Sequence, residues 1–255
     1  MYISGKTDIG LHRANNQDSF AVGELPSGGA WAVVCDGMGG HAGGHIASKL
    51  AVDCISERIR TGFYESMSVS SIKNMLESAI VFANYEIFEK AEKYRELRGM
   101  GTTVVAAVYY AGVAVVASVG DSRCYSIDGR EIKQITKDHS FVQQLVDSGD
   151  ITPEMAMKHP MKNIITRALG IEDDVQVDFF DLSYDPDTSD SNDRNFLLLC
   201  TDGLSNCVSD EEMIACLYDN NNSESVTDEQ VEKLVALANQ NGGSDNITAV
   251  ILAVN

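Results

Sequence analysis

Short apolar runs of strand length, several of them joined by tight turns, limit the folds that this chain can adopt. The runs lie at residues 2–7, 19–23, 31–35, 103–110, 113–119, 124–127, 175–182, 196–201 and 247–254. Ala111-Gly112 separates two of them and Asp128-Gly129 follows another. These dipeptides are typical of hairpins, in which neighbouring strands are antiparallel. We therefore predict sheets that are mainly antiparallel.

Blocks of helical periodicity separate the strands. Apolar residues recur at helical spacing over 46–59 and again over 72–87. Two later helices are predicted by capping boxes, which pair Ser209 with Glu212 and Thr227 with Gln230. Hairpin strands together with grouped helices favour an α+β fold built from layers over an alternating βαβ array.

Two segments differ from this pattern. Residues 148–168 form a mixed polar stretch in which Thr152-Pro153-Glu154 predicts the start of a short helix, and we expect this stretch to act as a flap. Residues 184–194 contain almost no apolar side chain and predict a solvated loop. The 255 residues are within the size of one domain, so we expect a single domain over 1–255.

The charge balance restricts the partners. The chain has 38 acidic residues against 19 basic ones, a formal net charge of −19. Such a protein repels nucleic acids and anionic membranes, and an anionic substrate would need a local arginine or a metal ion. We predict no signal peptide, no membrane span, and a cytoplasmic protein whose six cysteines are buried, reduced thiols.

Aspartates stand at the ends of the apolar strands. Asp36, Asp121 and Asp202 follow such strands, whereas Asp245 and Asp18 precede others. Each alone is also a common turn former. Clustered at one sheet edge, however, they would repel one another unless divalent cations lay among them. Oxygen ligands without a His or Cys pattern favour Mg²⁺ or Mn²⁺ over Zn²⁺.

Arg13 is the candidate phosphate ligand, because it lies five residues before Asp18 and a guanidinium can bind a phosphate dianion with two hydrogen bonds. The alternative is a surface arginine. The glycine-rich stretch 36–44 lacks the lysine of a phosphate-binding loop, so Gly37 favours a tight turn that exposes its carbonyl to a metal. The histidines show no metal-ligand spacing, and we interpret each as structural: His12, His41, His45, His139 and His159.

Eight motifs, in order and spanning nearly the whole chain, carry a family resemblance. They are RANNQD (13–18), CDGMGGH (35–41), GMGTT (99–103), VGDSR (119–123), TKDHS (136–140), TRALG (166–170), CTDGL (200–204) and GSDNIT (243–248). The chain resembles the metal-dependent (type 2C) serine/threonine protein phosphatases in their compact bacterial form.

The resemblance implies a four-layer α-β-β-α sandwich, with two mainly antiparallel sheets flanked by helix pairs and a metal site at one end. It implies a first metal held by Asp36, Asp202 and Asp245, a second held by Asp36 and the Gly37 carbonyl, and a third, weaker metal held by Asp121 and Asp202. Asp18 would act through metal-bound water, Arg13 would bind phosphate, and 148–168 would be the flap. An alternative for Asp121 is a pair with Arg123 that shapes the turn.

Two positions depart from many eukaryotic members, which have an acidic residue in place of Gln17 and a histidine in place of Met38. The second departure leaves the proton donor to the leaving group unassigned.

The expected function is hydrolysis of phosphoserine and phosphothreonine in proteins by a hydroxide that bridges two Mg²⁺ or Mn²⁺ ions, without a covalent phosphoenzyme. We expect a monomer that acts on a cognate kinase and its substrates. The alternatives are a phosphatase of small metabolites, a non-catalytic sensor and an acidic structural domain.

Overall fold

The computed structural model describes residues 2–128, 131–184, 195–218 and 228–254. The strands in these ranges are β1 (Ile3–Asp8), β2 (Ser19–Leu25), β3 (Gly29–Cys35), β4 (Gly37–Met38), β5 (Gly101–Thr102), β6 (Val104–Tyr110), β7 (Val113–Val119), β8 (Arg123–Asp128), β9 (Glu131–Gln134), β10 (Asp178–Ser183), β11 (Asn195–Cys200) and β12 (Ile247–Val254). The helices are α1 (Gly40–Gly62), α2 (Val69–Lys93), α3 (Phe141–Asp147), α4 (Pro153–Met157), α5 (Asp202–Ser205), α6 (Asp210–Tyr218) and α7 (Asp228–Gln240).

The long strands form two five-stranded sheets. The first sheet has the order β1-β12-β11-β8-β9 and the second has the order β10-β7-β6-β3-β2, with antiparallel neighbours throughout. In the β6–β7 hairpin, Ala111 (φ +50°) and Gly112 (φ +79°) both occupy the left-handed region, as a tight hairpin turn requires. The prediction of mainly antiparallel sheets is therefore confirmed.

Alternating side chains on these strands produce the layers. In β3, Ala30, Ala32 and Val34 face the core between the two sheets, whereas Trp31 and Val33 pack against α1 and α2. The first sheet likewise packs its outer face on α5, α6 and α7. Strands covered on both faces favour apolar residues at nearly every position, which explains the long apolar runs. The α-β-β-α sandwich is confirmed.

Several sequence predictions hold in detail. Both halves of the Ser209 capping box form, since the Ser209 amide donates to Glu212 Oε2 (2.9 Å) and the Glu212 amide donates to Ser209 Oγ (3.3 Å). Thr152 caps α4 by accepting from the Met155 amide (3.3 Å). Thr227 of the second box and residues 185–194 of the expected loop lie outside the described residues.

Other predictions need correction. The strand expected over 175–182 begins only at Asp178, and β9 and α3 were not predicted. Cys54, Cys207 and Cys216 are only partly buried, although all six cysteines are free thiols. In the described part of the chain, no helix is both long enough and apolar enough to cross a bilayer.

Candidate metal centre

A cleft of about 480 Å³ opens at one end of the sandwich, and the strand-end carboxylates line it. Asp36 follows β3 and Asp121 follows β7 in the second sheet, whereas Asp202 follows β11 and Asp245 precedes β12 in the first sheet. The two sheets thus each contribute two carboxylates. This clustering confirms that the aspartates share one end of the fold, as their positions in the sequence predict.

Asp18 lies buried next to this cleft in a fixed hydrogen-bond network. Its Oδ2 accepts hydrogen bonds from the hydroxyls of Thr201 (2.9 Å) and Thr248 (2.6 Å). Thr201 Oγ1 accepts from the Thr248 amide (3.0 Å), so its proton is directed at Asp18. Asp18 Oδ1 is buried and has no hydrogen-bond partner. One oxygen of Asp18 is therefore held in place and the other is available to a ligand.

Burial and mutual repulsion disfavour charge on these carboxylates. Burial, followed by repulsion from Asp202, raises the pKa of Asp121 to about 7. Burial also raises the pKa of Asp18 to about 7 and of Asp202 to about 6, and it raises the pKa of Asp36 well above its usual range. A divalent cation among them would reverse this effect, because it stabilises the ionised form.

The donor set fits hard divalent cations. The donors are carboxylate oxygens, and Asp202 Oδ1, like Asp18 Oδ1, is buried without a partner. Across the described ranges, no three Asp, Glu, His or Cys side chains are spaced to hold an ion together in this conformation.

Arg13 projects into the same cleft and pairs with one of the carboxylates. Its Nη2 lies 2.6 Å from Asp245 Oδ2, and this hydrogen bond raises the pKa of the guanidinium. About half of the Arg13 side chain is exposed. Arg13 is thus placed at the carboxylate cluster rather than elsewhere on the surface.

Asn246 holds the loop that carries Arg13, and the sequence analysis did not single it out. Its Oδ1 accepts from the Gln17 amide (2.8 Å), and its Nδ2 donates to the carbonyls of Ile9 (2.9 Å) and Asn15 (3.0 Å). One side chain therefore fixes three points of the segment. An asparagine beside a strand-end aspartate was the only available signal.

Two threonines that were also not singled out fix the backbone of Asp36. Thr103 Oγ1 accepts from the Asp36 amide (2.9 Å), and the Thr103 amide donates to the Asp36 carbonyl (2.9 Å). Thr102 Oγ1 donates to that same carbonyl (2.8 Å). The GMGTT motif therefore serves to position the metal-candidate residue 36.

Gly37 lines the cleft, and close packing explains why it has no side chain. A Cβ atom at position 37 would overlap the carbonyl oxygen of Gly44 in α1 and would lie 2.6 Å from the Gln17 carbonyl oxygen. Close packing of α1 thus requires glycine here. The Gln17 side chain donates to the Gly40 carbonyl (2.7 Å), so it holds the start of α1.

The alternative pairing of Asp121 with Arg123 is wrong. The Arg123 guanidinium donates to both carboxylate oxygens of Asp138 (2.7–3.2 Å) and to the Tyr125 hydroxyl (3.0 Å). Asp121 instead lines the cleft.

The segment expected to be a flap, 148–168, borders the cleft. Asn163 and Ile165 line it, and Lys162 and Asn163 also line a second cavity of about 350 Å³ that shares Asp121 and Asp202 with the first. The motion that the word flap implies stays a prediction.

Comparisons with known proteins agree with this architecture. The family model described as "Protein phosphatase 2C" matches residues 12–241. The chain is 39% identical to the serine/threonine phosphatase stp of Listeria monocytogenes over 99% of this chain and 95% of that protein. It is 35% identical to the protein phosphatase PhpP of Streptococcus pneumoniae over 100% and 98% of the two chains.

Solved structures are similar over nearly the whole length. The serine/threonine phosphatase Stp1 from Staphylococcus aureus superposes with a TM-score of 0.87 at 36% identity, over 99% of this chain and 94% of that one. The catalytic domain of the phosphatase PstP, solved with two manganese ions, superposes with a TM-score of 0.82 at 34% identity, over 100% and 98% of the chains.

Proposed function

The chain belongs to the protein phosphatase 2C family and is a serine/threonine phosphatase, and on this premise we propose that it hydrolyses phosphoserine and phosphothreonine in proteins with Mg²⁺ or Mn²⁺ bound in the cleft. The observation that supports the metal-dependent site is the set of buried strand-end carboxylates. Among the described residues, Oδ1 of Asp202 has no hydrogen-bond partner, and neither has Oδ1 of the neighbouring Asp18. Buried carboxylates that lie this close together favour bound cations, because a cation stabilises their ionised forms.

The ligand assignment is the one that membership of the protein phosphatase 2C family implies. Asp36, Asp202 and Asp245 would hold a first ion, Asp36 and the Gly37 carbonyl a second, and Asp121 with Asp202 a weaker third. Bound in this way, a pair of divalent ions supplies a water of lowered pKa and neutralises charge on the phosphoryl group. Asp18 Oδ1 would accept a hydrogen bond from that water, because Oδ2 is committed to Thr201 and Thr248.

Arg13 binds the phosphoryl oxygens in this proposal. Its guanidinium is half exposed in the cleft and pairs with Asp245, the carboxylate assigned to the first ion. Once Asp245 is committed to a cation, Arg13 is free to offer two parallel hydrogen bonds to a phosphate dianion. A protein with a formal net charge of −19 thereby gains a local cationic site for an anionic substrate.

The wider setting follows from the proposed substrate class. We expect a cytoplasmic, monomeric signalling enzyme that acts on a cognate serine/threonine kinase and on the substrates of that kinase.

The direct test is hydrolysis of a phosphothreonine peptide with and without Mn²⁺, followed by chelation with EDTA. We expect turnover only with added Mn²⁺ or Mg²⁺, and its loss on chelation. Sugar phosphates, assayed in parallel, should be poorer substrates. Full activity in excess EDTA would overturn the metal-dependent mechanism, and a preference for sugar phosphates would overturn the protein substrate.

A further inference from the structure

His139, in the segment between β9 and α3, holds the peptide that precedes Asp121. The His139 amide donates to the Gly120 carbonyl (2.9 Å), and the Gly120 amide donates to His139 Nδ1 (2.9 Å). Gly120 has a φ of +106°, and a Cβ there would lie 2.6 Å from Thr103 Cβ. His139 thus forms hydrogen bonds with both the amide and the carbonyl of Gly120, whose backbone conformation only glycine readily adopts.

This geometry assigns the tautomer of the imidazole. Nδ1 accepts a hydrogen bond and therefore has no proton, so the neutral ring has its proton on Nε2. Asp178 Oδ2 lies 3.1 Å from Nε2 and accepts that proton's hydrogen bond. Burial lowers the pKa of His139, which favours the neutral ring. The carboxylate of Asp178 therefore fixes which nitrogen faces Gly120.

The same histidine joins this turn to the end of the flap segment. The Thr166 amide donates to the His139 carbonyl (2.7 Å). Arg167 Nη1 lies 3.0 Å from His139 Nε2 and donates to Asp178 Oδ1 (2.8 Å). Asp178 thus accepts from His139 with one oxygen and from Arg167 with the other. The cleft turn and residues 166–167 share one partly buried hydrogen-bond network.

We propose that His139 is a positioning residue, oriented by Asp178, that fixes the Gly120 peptide and through it the Asp121 carboxylate at the cleft. His139 contacts neither the cleft nor a candidate ligand oxygen directly. The inference rests on the proposed role of Asp121 as a ligand of the weaker ion. It also gives the network of Arg167 and Asp178 a function, because both residues act through the imidazole.

Two substitutions of similar size and polarity separate the two links. His139→Asn can place its Oδ1 near the position of Nδ1, where it accepts from the Gly120 amide, but it cannot reach Asp178. His139→Gln reaches toward Asp178 but loses the acceptor for Gly120. If His139 only filled space, the two substitutions would have about equal effects on Mn²⁺ activation.

The expected results differ between the two variants. His139→Gln should raise the Mn²⁺ concentration for half-maximal turnover by about tenfold, the factor expected from one lost hydrogen bond, and His139→Asn should stay within about twofold of wild type. Calorimetric titration with Mn²⁺ should show the same weakening in the low-affinity phase only. Hydrogen exchange of the Gly120 amide should accelerate in His139→Gln and stay slow in His139→Asn.

Asp178→Asn tests the orientation of the ring independently. An amide NH₂ facing Nε2 would move the ring proton to Nδ1, opposite the Gly120 N–H. Nitrogen-15 NMR should show an unprotonated Nδ1 at His139 in the wild type and faster Gly120 exchange in Asp178→Asn. A protonated Nδ1 in the wild type would overturn the proposal, as would equal Gly120 exchange in His139→Gln and wild type.

Asp121→Ala, measured alongside, tests the role of Asp121 at the third ion separately from the hold of His139 on Gly120. If it leaves Mn²⁺ activation unchanged, the third-ion part of the proposed function fails. The hold of His139 on Gly120 is still decided by amide exchange, which does not depend on any metal.

Discussion

At the scale of single residues, the proposed function makes Arg13 and the first metal ion compete for Asp245. Arg13 pairs with Oδ2 at 2.6 Å, on the carboxylate assigned to the first ion. Metal binding to Asp245 would therefore break this ion pair and leave the Arg13 guanidinium free to bind phosphate.

Arg13→Ala should weaken binding of phosphosubstrate by about 1.5–3 kcal/mol, the contribution of a hydrogen bond to a charged group. This predicts a higher KM and weaker inhibition by inorganic phosphate, with no loss of tight Mn²⁺ affinity because the competing ion pair is gone. Arg98→Ala is a matched control, since Arg98 is exposed and does not line the cleft. An unchanged KM in Arg13→Ala would leave Arg13 as a surface residue.

Asp36→Asn and Asp245→Asn should each abolish turnover while the protein stays folded, because each removes a charged ligand. Calorimetry with Mn²⁺ would show loss of tight binding, and circular dichroism would check the fold. Asp53→Asn, which changes an exposed carboxylate on α1, should leave both unchanged. Wild-type turnover in either cleft variant would contradict the ligand assignment.

Asp121→Ala should keep tight binding of two ions but reduce turnover, because only the weak ion loses a ligand. The difference should appear in the dependence of rate on Mn²⁺ at millimolar concentrations. Identical activation curves at equal thermal stability would leave Asp121 without a role at a third ion.

At the scale of elements, the sequence predicted those whose pattern is local. Helices α1 and α2 follow from periodic apolar residues, and α6 follows from its capping box. The edge strand β9 was missed because its four residues EIKQ are mostly exposed and include one apolar side chain. Such a strand depends on pairing with β8 rather than on its own pattern.

The candidate site shows the same division. The carboxylates could be located from strand ends, but the pairing of Arg13 with Asp245 joins residues 232 positions apart. The same applies to the hold of Thr103 on Asp36, which spans 67 positions. Contacts of this kind depend on how the sheets pack, which no local pattern encodes.

Ser209→Ala should destabilise the protein by about 1 kcal/mol, because it removes the side-chain cap of α6. A chain of this size should then melt about 2–4 °C lower in calorimetry. Turnover at 25 °C should not change, because α6 does not line the cleft. A large loss of activity without a change in melting temperature would contradict a purely structural cap.

At the scale of the whole molecule, the carboxylate cluster makes stability depend on pH. The pKa values of Asp18 and Asp121 are about 7 in the folded chain, against a usual 3.8. The folded protein therefore binds more protons than the unfolded chain between these values. In EDTA, its free energy of unfolding should fall as pH rises from about 4 to 7.

Thermal melts from pH 5 to pH 8 with EDTA and with Mn²⁺ would test this. Mn²⁺ should raise the melting temperature more at pH 7.5 than at pH 5, because the ions replace the protons. A melting temperature in EDTA that increases steadily over this range would contradict the assignment.

The placement of two carboxylates on each sheet has a further consequence. In the proposed assignment, the first ion is held by Asp36 of one sheet and by Asp202 and Asp245 of the other, so it would link the two halves of the sandwich. The two sheets could then separate only after the ion loses its ligands on one of them, so ion binding should slow spontaneous unfolding. Catalytic competence would then mark the completion of folding, since it appears only when the two halves have docked in register.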